Sequence, residues 1–201
     1  MKIVGLCGGI GSGKSMASAY FSSFNLPVID ADKVYHDLVN YPSECLGDIE
    51  REFGNGVVSG GKLDRKALSK IVFEGVGSSE RLEKLNSITH HHVLKRIREL
   101  LSDLRLNGHR IAVVEVPLLF ESGFDRECDV TVAIVADREK RIARICHRDG
   151  VDRETAEKRI DSQISDDVLV EKADFYIKNN GSLEHLSNEI NKIIKFLYNE
   201  V

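Results

Sequence analysis

Residues 8–15 read Gly8-Gly9-Ile10-Gly11-Ser12-Gly13-Lys14-Ser15. They match G-x-x-x-x-G-K-[ST], and this loop constrains the fold more than any other feature of the chain. Successive glycines let backbone N–H groups converge on an anion, and a helix starting at Lys14 adds positive potential. Lys14 has the reach to touch β- and γ-phosphates, and the Ser15 hydroxyl can ligate Mg²⁺. The context agrees with the motif. Residues 2–7 form a short apolar run ending in glycines, read as a buried strand, and Lys14 to about Phe24 reads as a helix. The loop therefore predicts nucleoside triphosphate binding with Mg²⁺. It leaves open a kinase, a GTPase, an ATPase motor or a regulatory module. The guanine-reading N-K-x-D is absent, since Asn191-Lys192 continues into Ile193-Ile194. Ser59-Gly60-Gly61 reads as a turn, because no strand with an acidic end follows it closely.

Four more short strands are predicted, at residues 27–30, 111–116, 130–135 and, more weakly, 175–178. They are β-branched and nearly continuous in apolarity, the pattern of a parallel sheet covered on both faces. The expected fold is α/β, a three-layer P-loop NTPase fold with a five-stranded parallel sheet. The spacing is uneven, with about eighty residues between the second and third strands. Leu82, Leu85, Ile88, Val93, Ile97, Leu100 and Leu101 recur there at helical steps. Residues 37–106 read as a helical insertion, with a core of 1–36 and 107–201 in a single domain.

With 201 residues, 42% hydrophobic and 30% charged, the chain can build its own core and is not disordered. No stretch approaches the ~20 apolar residues of a membrane span, and no signal-peptide h-region opens the chain. Cys7, Cys45, Cys128 and Cys146 form no C-x-x-C pair, so free thiols in a reducing cytoplasm are expected. Adjacent residues on a helix point to different faces, so His90-His91-His92 is a poor metal site. The net charge of −4 argues against nucleic acid as a partner.

Ligands of a parallel sheet gather at the carboxyl ends of its strands. Asp30, Asp32 and Glu115 fall there, each able to take a proton from an attacking hydroxyl or to hold Mg²⁺ through water. Asp32 has a rival reading as a helix N-cap. Further on, Arg138, Arg141, Arg144 and Arg148 share one helical face, and residues 138–148 carry a local +4. The reading is a movable basic lid over about 138–153, able to neutralise charge on a triphosphate. Arg153 and Arg159 would extend it.

The sequence resembles the dephospho-CoA kinases along nearly its whole length. Gly8 to Ser15 looks like the family's GGIGSGKS, and Val28-Ile29-Asp30-Ala31-Asp32 like its second-strand motif. Gly61-Lys62-Leu63-Asp64-Arg65 and Pro117-Leu118-Leu119-Phe120-Glu121 are similar to its G-x-LDR and PLLFE stretches. Arg144, Arg148-Asp149, Arg159 with Gln163, Ala173-Asp174 and Asn179-Asn180-Gly181 resemble its lid and C-terminal signatures. Cys7 and Met16 stand where the family usually has Thr, His91 replaces a common Pro, and Arg141 sits where Gln is frequent.

The resemblance implies ATP + 3′-dephospho-CoA → ADP + CoA, the last step of coenzyme A synthesis. It implies Asp32, Lys14 and Arg144 as catalytic residues, with Asp32 the base or orienter for the ribose 3′-hydroxyl. Gly9, Ile10, Gly11, Ser12, Gly13, Lys14, Ser15, Met16, Arg148 and Asn179 would hold ATP, with Ser15 on Mg²⁺. Asp32, Arg65, His90 and Leu119 would hold dephospho-CoA. ATP and dephospho-CoA are then the partners of a cytoplasmic protein, read as a monomer or a weak oligomer, with no nucleic acid and no membrane. Two rivals share parts of this pattern: another small-substrate kinase of the nucleoside monophosphate or shikimate type, and a nucleotide-dependent switch.

Overall fold

The computed structural model describes residues 1–74 and 77–199. Its strands are β1 (Lys2–Cys7), β2 (Val28–Asp30), β3 (Val58–Ser59), β4 (Lys62–Leu63), β5 (Ile111–Glu115), β6 (Val130–Val135) and β7 (Phe175–Lys178). Its α-helices are α1 (Lys14–Ser23), α2 (Ala31–Asn40), α3 (Glu44–Phe53), α4 (Arg65–Phe73) and α5 (Ser78–Leu106). They continue with α6 (Arg138–Asp149), α7 (Arg153–Asp161), α8 (Asp166–Lys172) and α9 (Leu183–Asn199).

The five strands expected from the sequence form one sheet, in the order β2-β5-β1-β6-β7. β1 pairs in parallel with β5 and β6, and β6 in parallel with β7. The apolar runs are continuous because both faces are covered. On one face Val4, Leu6, Val113, Val132 and Ile134 pack with Phe21 of α1 and Ile190, Ile194 and Leu197 of α9. On the other, Gly5 lies so close beneath Leu119 and Cys128 that a β-carbon there would crowd them. The central strand thus delivers its carboxyl end into the loop at 8–13, at the point where the connections diverge to the two sides of the sheet.

The chain divides into two compact units, one of residues 1–29 and 103–201, the other of residues 30–102. The second unit begins before the expected residue 37. The reason is that α2 packs on α3 and β4, and its Val39 shares a core with Cys45, Ile49, Val57, Leu68 and Val72. Inside this unit the glycines at 60 and 61 do more than mark a turn. Both have positive φ, 59° and 74°, and they link β3 to β4 as a two-residue hairpin. Strands of two residues carry no alternation to read, so the hairpin has no signature in the sequence.

Candidate active site

Helix α1 begins without a side-chain cap: Gly13, in the left-handed region at φ 101°, stands at its N-cap, and its first turn holds no acid. By contrast α2, α3 and α4 start on Asp30, Ser43 and Asp64, whose side chains accept from the first-turn N–H groups. An uncapped start leaves N–H donors and positive potential directed at the loop, which is what a phosphate needs. Gly13 is required on two counts. Its φ disfavours any L side chain, and a β-carbon would collide with the Asn179 amide.

The rest of the loop is held by its own turns and by side chains from elsewhere in the same unit. Ser12 N–H donates to Gly9 O (3.2 Å), and Lys14 Nζ folds back to Gly8 O (2.7 Å). Arg144 Nη1 donates to Gly11 O (3.0 Å) and Ser12 O (3.1 Å), while its Nη2 donates to Asn179 O (2.8 Å). Asn179 is buried, and its Nδ2 donates to Ser12 O (2.7 Å). The Ser12 hydroxyl is buried with no hydrogen-bond partner among the described residues, a polar atom the loop itself does not use. Lys14, Arg144 and Asn179 are therefore gathered on residues 8–13, and Ser15 and Met16 are exposed on the first turn of α1.

The carboxylates separate clearly. Asp30 is the N-cap of α2, its Oδ1 accepting from Asp32 N (2.9 Å) and Lys33 N (3.2 Å). The cap role considered for Asp32 thus falls to its neighbour, and Asp32 is an exposed first-turn residue. Glu115 is buried at the end of β5 and accepts a hydrogen bond from Ser18 Oγ. Nothing in the local sequence singled out Ser18, which looks like any helix serine.

The arginines of α6 divide. Arg141 and Arg144 turn to the loop, whereas Arg138 pairs with Asp161 (2.6 Å) and Arg148 with Asp149 (2.7 Å) at exposed positions. Arg159 joins Asp149 (2.7 Å), and Arg153 joins Glu139 (2.6 Å) and Glu157 (2.7 Å). The local +4 of residues 138–148 is largely compensated in the folded chain. The fold supplies the acids from residues 149–166, which sequence distance hides. These arginines hold the Asp149, Asp161 and Glu139 carboxyls below their usual range. In this structure α6 is fastened to the loop by Arg141 and Arg144.

Leu119 is fully buried beside Gly5 and Cys128, so it is core and offers no surface to a substrate; its neighbour Leu118 is the exposed one. In the helical unit Arg65 opens α4 near Tyr35, where its charge opposes the rise that burial imposes on the phenol. His90 is half-buried on α5, and His91 is exposed. His92 is buried, with Nε2 at 2.8 Å from Asp48 Oδ2. Among the described residues no cluster of three metal-ligating side chains occurs. Burial pushes the Cys7 thiol up to about 12, against the opposing charge of Lys14.

With this geometry in view, the family model for dephospho-CoA kinase matches residues 2–185. A dephospho-CoA kinase from Fusobacterium nucleatum is 41% identical over 191 residues, covering 94% of this chain and 95% of its own length. One from Corynebacterium glutamicum is 35% identical, covering 98% of each. Among solved structures, dephospho-CoA kinase from Campylobacter jejuni superposes with a TM-score of 0.71 at 31% identity, over 97% of this chain and 96% of its own. Shikimate kinase from Bacteroides thetaiotaomicron shares the fold at 12% identity, with a TM-score of 0.57 over 98% of each chain. On the family match and these full-length relatives, the chain belongs to the dephospho-CoA kinase family.

Proposed function

We propose that this chain transfers the γ-phosphoryl group of ATP to the ribose 3′-hydroxyl of dephospho-CoA, giving CoA and ADP. The observation that carries the reading is the uncapped start of α1 behind a glycine loop, in a chain with full-length dephospho-CoA kinase relatives. Phosphoryl transfer asks little covalent chemistry of a protein; positioning and charge neutralisation supply most of the rate.

The roles follow from chemistry available at each residue. Backbone N–H groups of residues 9–15 other than Ile10, whose N–H is held by Gln163, bind the phosphates, and Lys14 leaves Gly8 O to meet them. Arg144 and Asn179 hold the loop carbonyls turned away from the anion, which keeps N–H groups facing it, and Asn179 borders the nucleotide. Asp32 takes the proton of the attacking 3′-hydroxyl or orients it. Arg65 and His90 bind dephospho-CoA. The exposed Ser15 hydroxyl is a hard oxygen donor suited to Mg²⁺, which when bound would neutralise charge on the β- and γ-phosphates. Arg148, released from Asp149, adds charge to the same end. The protein is read as a cytoplasmic monomer. Its four cysteines are free thiols, and among the described residues no helix is long and apolar enough to cross a membrane.

A substrate panel tests the reading. With Mg-ATP, dephospho-CoA should be phosphorylated far faster than shikimate or nucleoside monophosphates. A preference for either of those, or ATP binding without transfer to any acceptor, would overturn it.

A further inference from the structure

Arg141 is the buried arginine of α6, 4% exposed, and the family pattern gives it no role. Its three nitrogens serve three acceptors. Nε donates to Ile10 O (2.9 Å), Nη1 to Asp166 Oδ1 (2.7 Å), and Nη2 approaches Gln163 Oε1 (3.5 Å). The same Gln163 Oε1 accepts from Ile10 N–H (2.7 Å). Asp166 in turn takes the Ala136 N–H, at the end of β6, on its other oxygen (3.3 Å). Both polar groups of the Ile10 backbone are thus gripped from outside the loop. The guanidinium also lies so close to Gly9 that a β-carbon there would collide with it.

Burying an ion pair costs desolvation that attraction rarely exceeds, so such pairs are poor devices for stability alone. This one is aimed at the residue of the loop that most needs restraint. Ile10 is flanked by Gly9 and Gly11, so its two peptides have little local steric guidance. A loop ordered in advance loses less entropy when phosphate arrives and presents its donors without reorganisation.

We propose that Arg141, with Gln163 and Asp166, is a positioning device that sets the orientation of the Ile10 peptides and thereby the affinity of the loop for the phosphates of ATP. The proposal rests on the kinase reading above. Lys at 141 keeps the charge but cannot serve three acceptors in one plane. Gln at 141 together with Asn at 166 removes both charges and keeps a donor for Ile10 O.

Three measurements on the full chain test it. By calorimetry, Arg141→Ala and Arg141→Lys should each weaken Mg-ATP binding by about tenfold, the scale of one well-made charged hydrogen bond. The KM for ATP should rise in step, with the KM for dephospho-CoA changed less than about twofold. The double variant Arg141→Gln with Asp166→Asn should recover to within about threefold of wild type, because loop contact survives and no lone charge is buried. Finally, Gln163→Leu should accelerate amide exchange at Ile10 by about tenfold or more. Variants that melt earlier yet bind Mg-ATP within about twofold of wild type would make Arg141 a stability residue only and overturn the proposal. So would unchanged exchange at Ile10. ATP affinity and exchange need no acceptor, so they still decide the matter if the chain phosphorylates something other than dephospho-CoA.

Discussion

At the scale of single residues, the groups proposed to touch phosphate are distinct from the groups that hold the frame. Lys14→Ala should lower kcat/KM by about 10²–10³-fold, as expected for loss of a charge aimed at a developing anion. Asp32→Asn should lower kcat by about 10²–10⁴-fold with KM for ATP little changed and the melting curve intact. Steady-state kinetics at saturating ATP, with melting as the control, check both. Neighbouring Asp30 should behave in the opposite manner. It caps α2, so Asp30→Ala should cost about 1 kcal/mol of stability, read by denaturant unfolding. The sequence placed two aspartates at the end of a strand but could not tell cap from candidate base. That choice depends on which carboxylate turns back onto the Lys33 and Asp32 N–H groups, a matter of side-chain rotamer. Cys7, beside the same loop, is kept a neutral thiol by burial.

At the scale of elements, periodicity and the glycine loop made β1, α1 and the parallel strands legible, because a buried parallel strand and an amphipathic helix each leave a local pattern. The ion-pair partners of α6 were not legible. Asp161 and Asp166 sit on α7 and α8, where acids read as ordinary solvated or helix-start residues, and only folding brings them to Arg138 and Arg141. The histidine triplet was readable only as a set of three faces. The structure selects His92 and gives it Asp48 of α3, whose carboxyl is held below its usual range chiefly by that hydrogen bond. A carboxyl lowered in the folded state contributes stability that is present above its unfolded pKa, about 4, and is lost as pH falls through the folded value. Thermal melts between about pH 6 and 2.5 should therefore show a decline below about pH 4 that Asp48→Asn makes shallower. An equal decline in both proteins would remove the pair from this role.

At the scale of the whole molecule, a net charge of −4 was a poor guide to ligand chemistry. The average conceals an uncapped helix start behind a loop of neutral residues, and the basic helix beside it is largely compensated by acids within the same unit. The division into a sheet unit and a helical unit follows from two separate cores, one around Leu6 and Phe21, the other around Ile49 and Val72. Candidate groups for ATP belong to the first unit, and Asp32, Arg65 and His90, proposed for the acceptor, to the second, so nucleotide binding should outlast damage to the acceptor residues. Arg65→Ala should raise the KM for dephospho-CoA by about tenfold while calorimetry finds Mg-ATP affinity within about twofold of wild type.

The central claim is a position-specific transfer, and the direct measurement is the identity of the product. Purified protein incubated with Mg-ATP and dephospho-CoA should yield CoA, with phosphorus NMR locating the new phosphate on the ribose 3′-oxygen. ATP hydrolysed with no phosphorylated acceptor, or phosphate carried at any other position, would contradict the account.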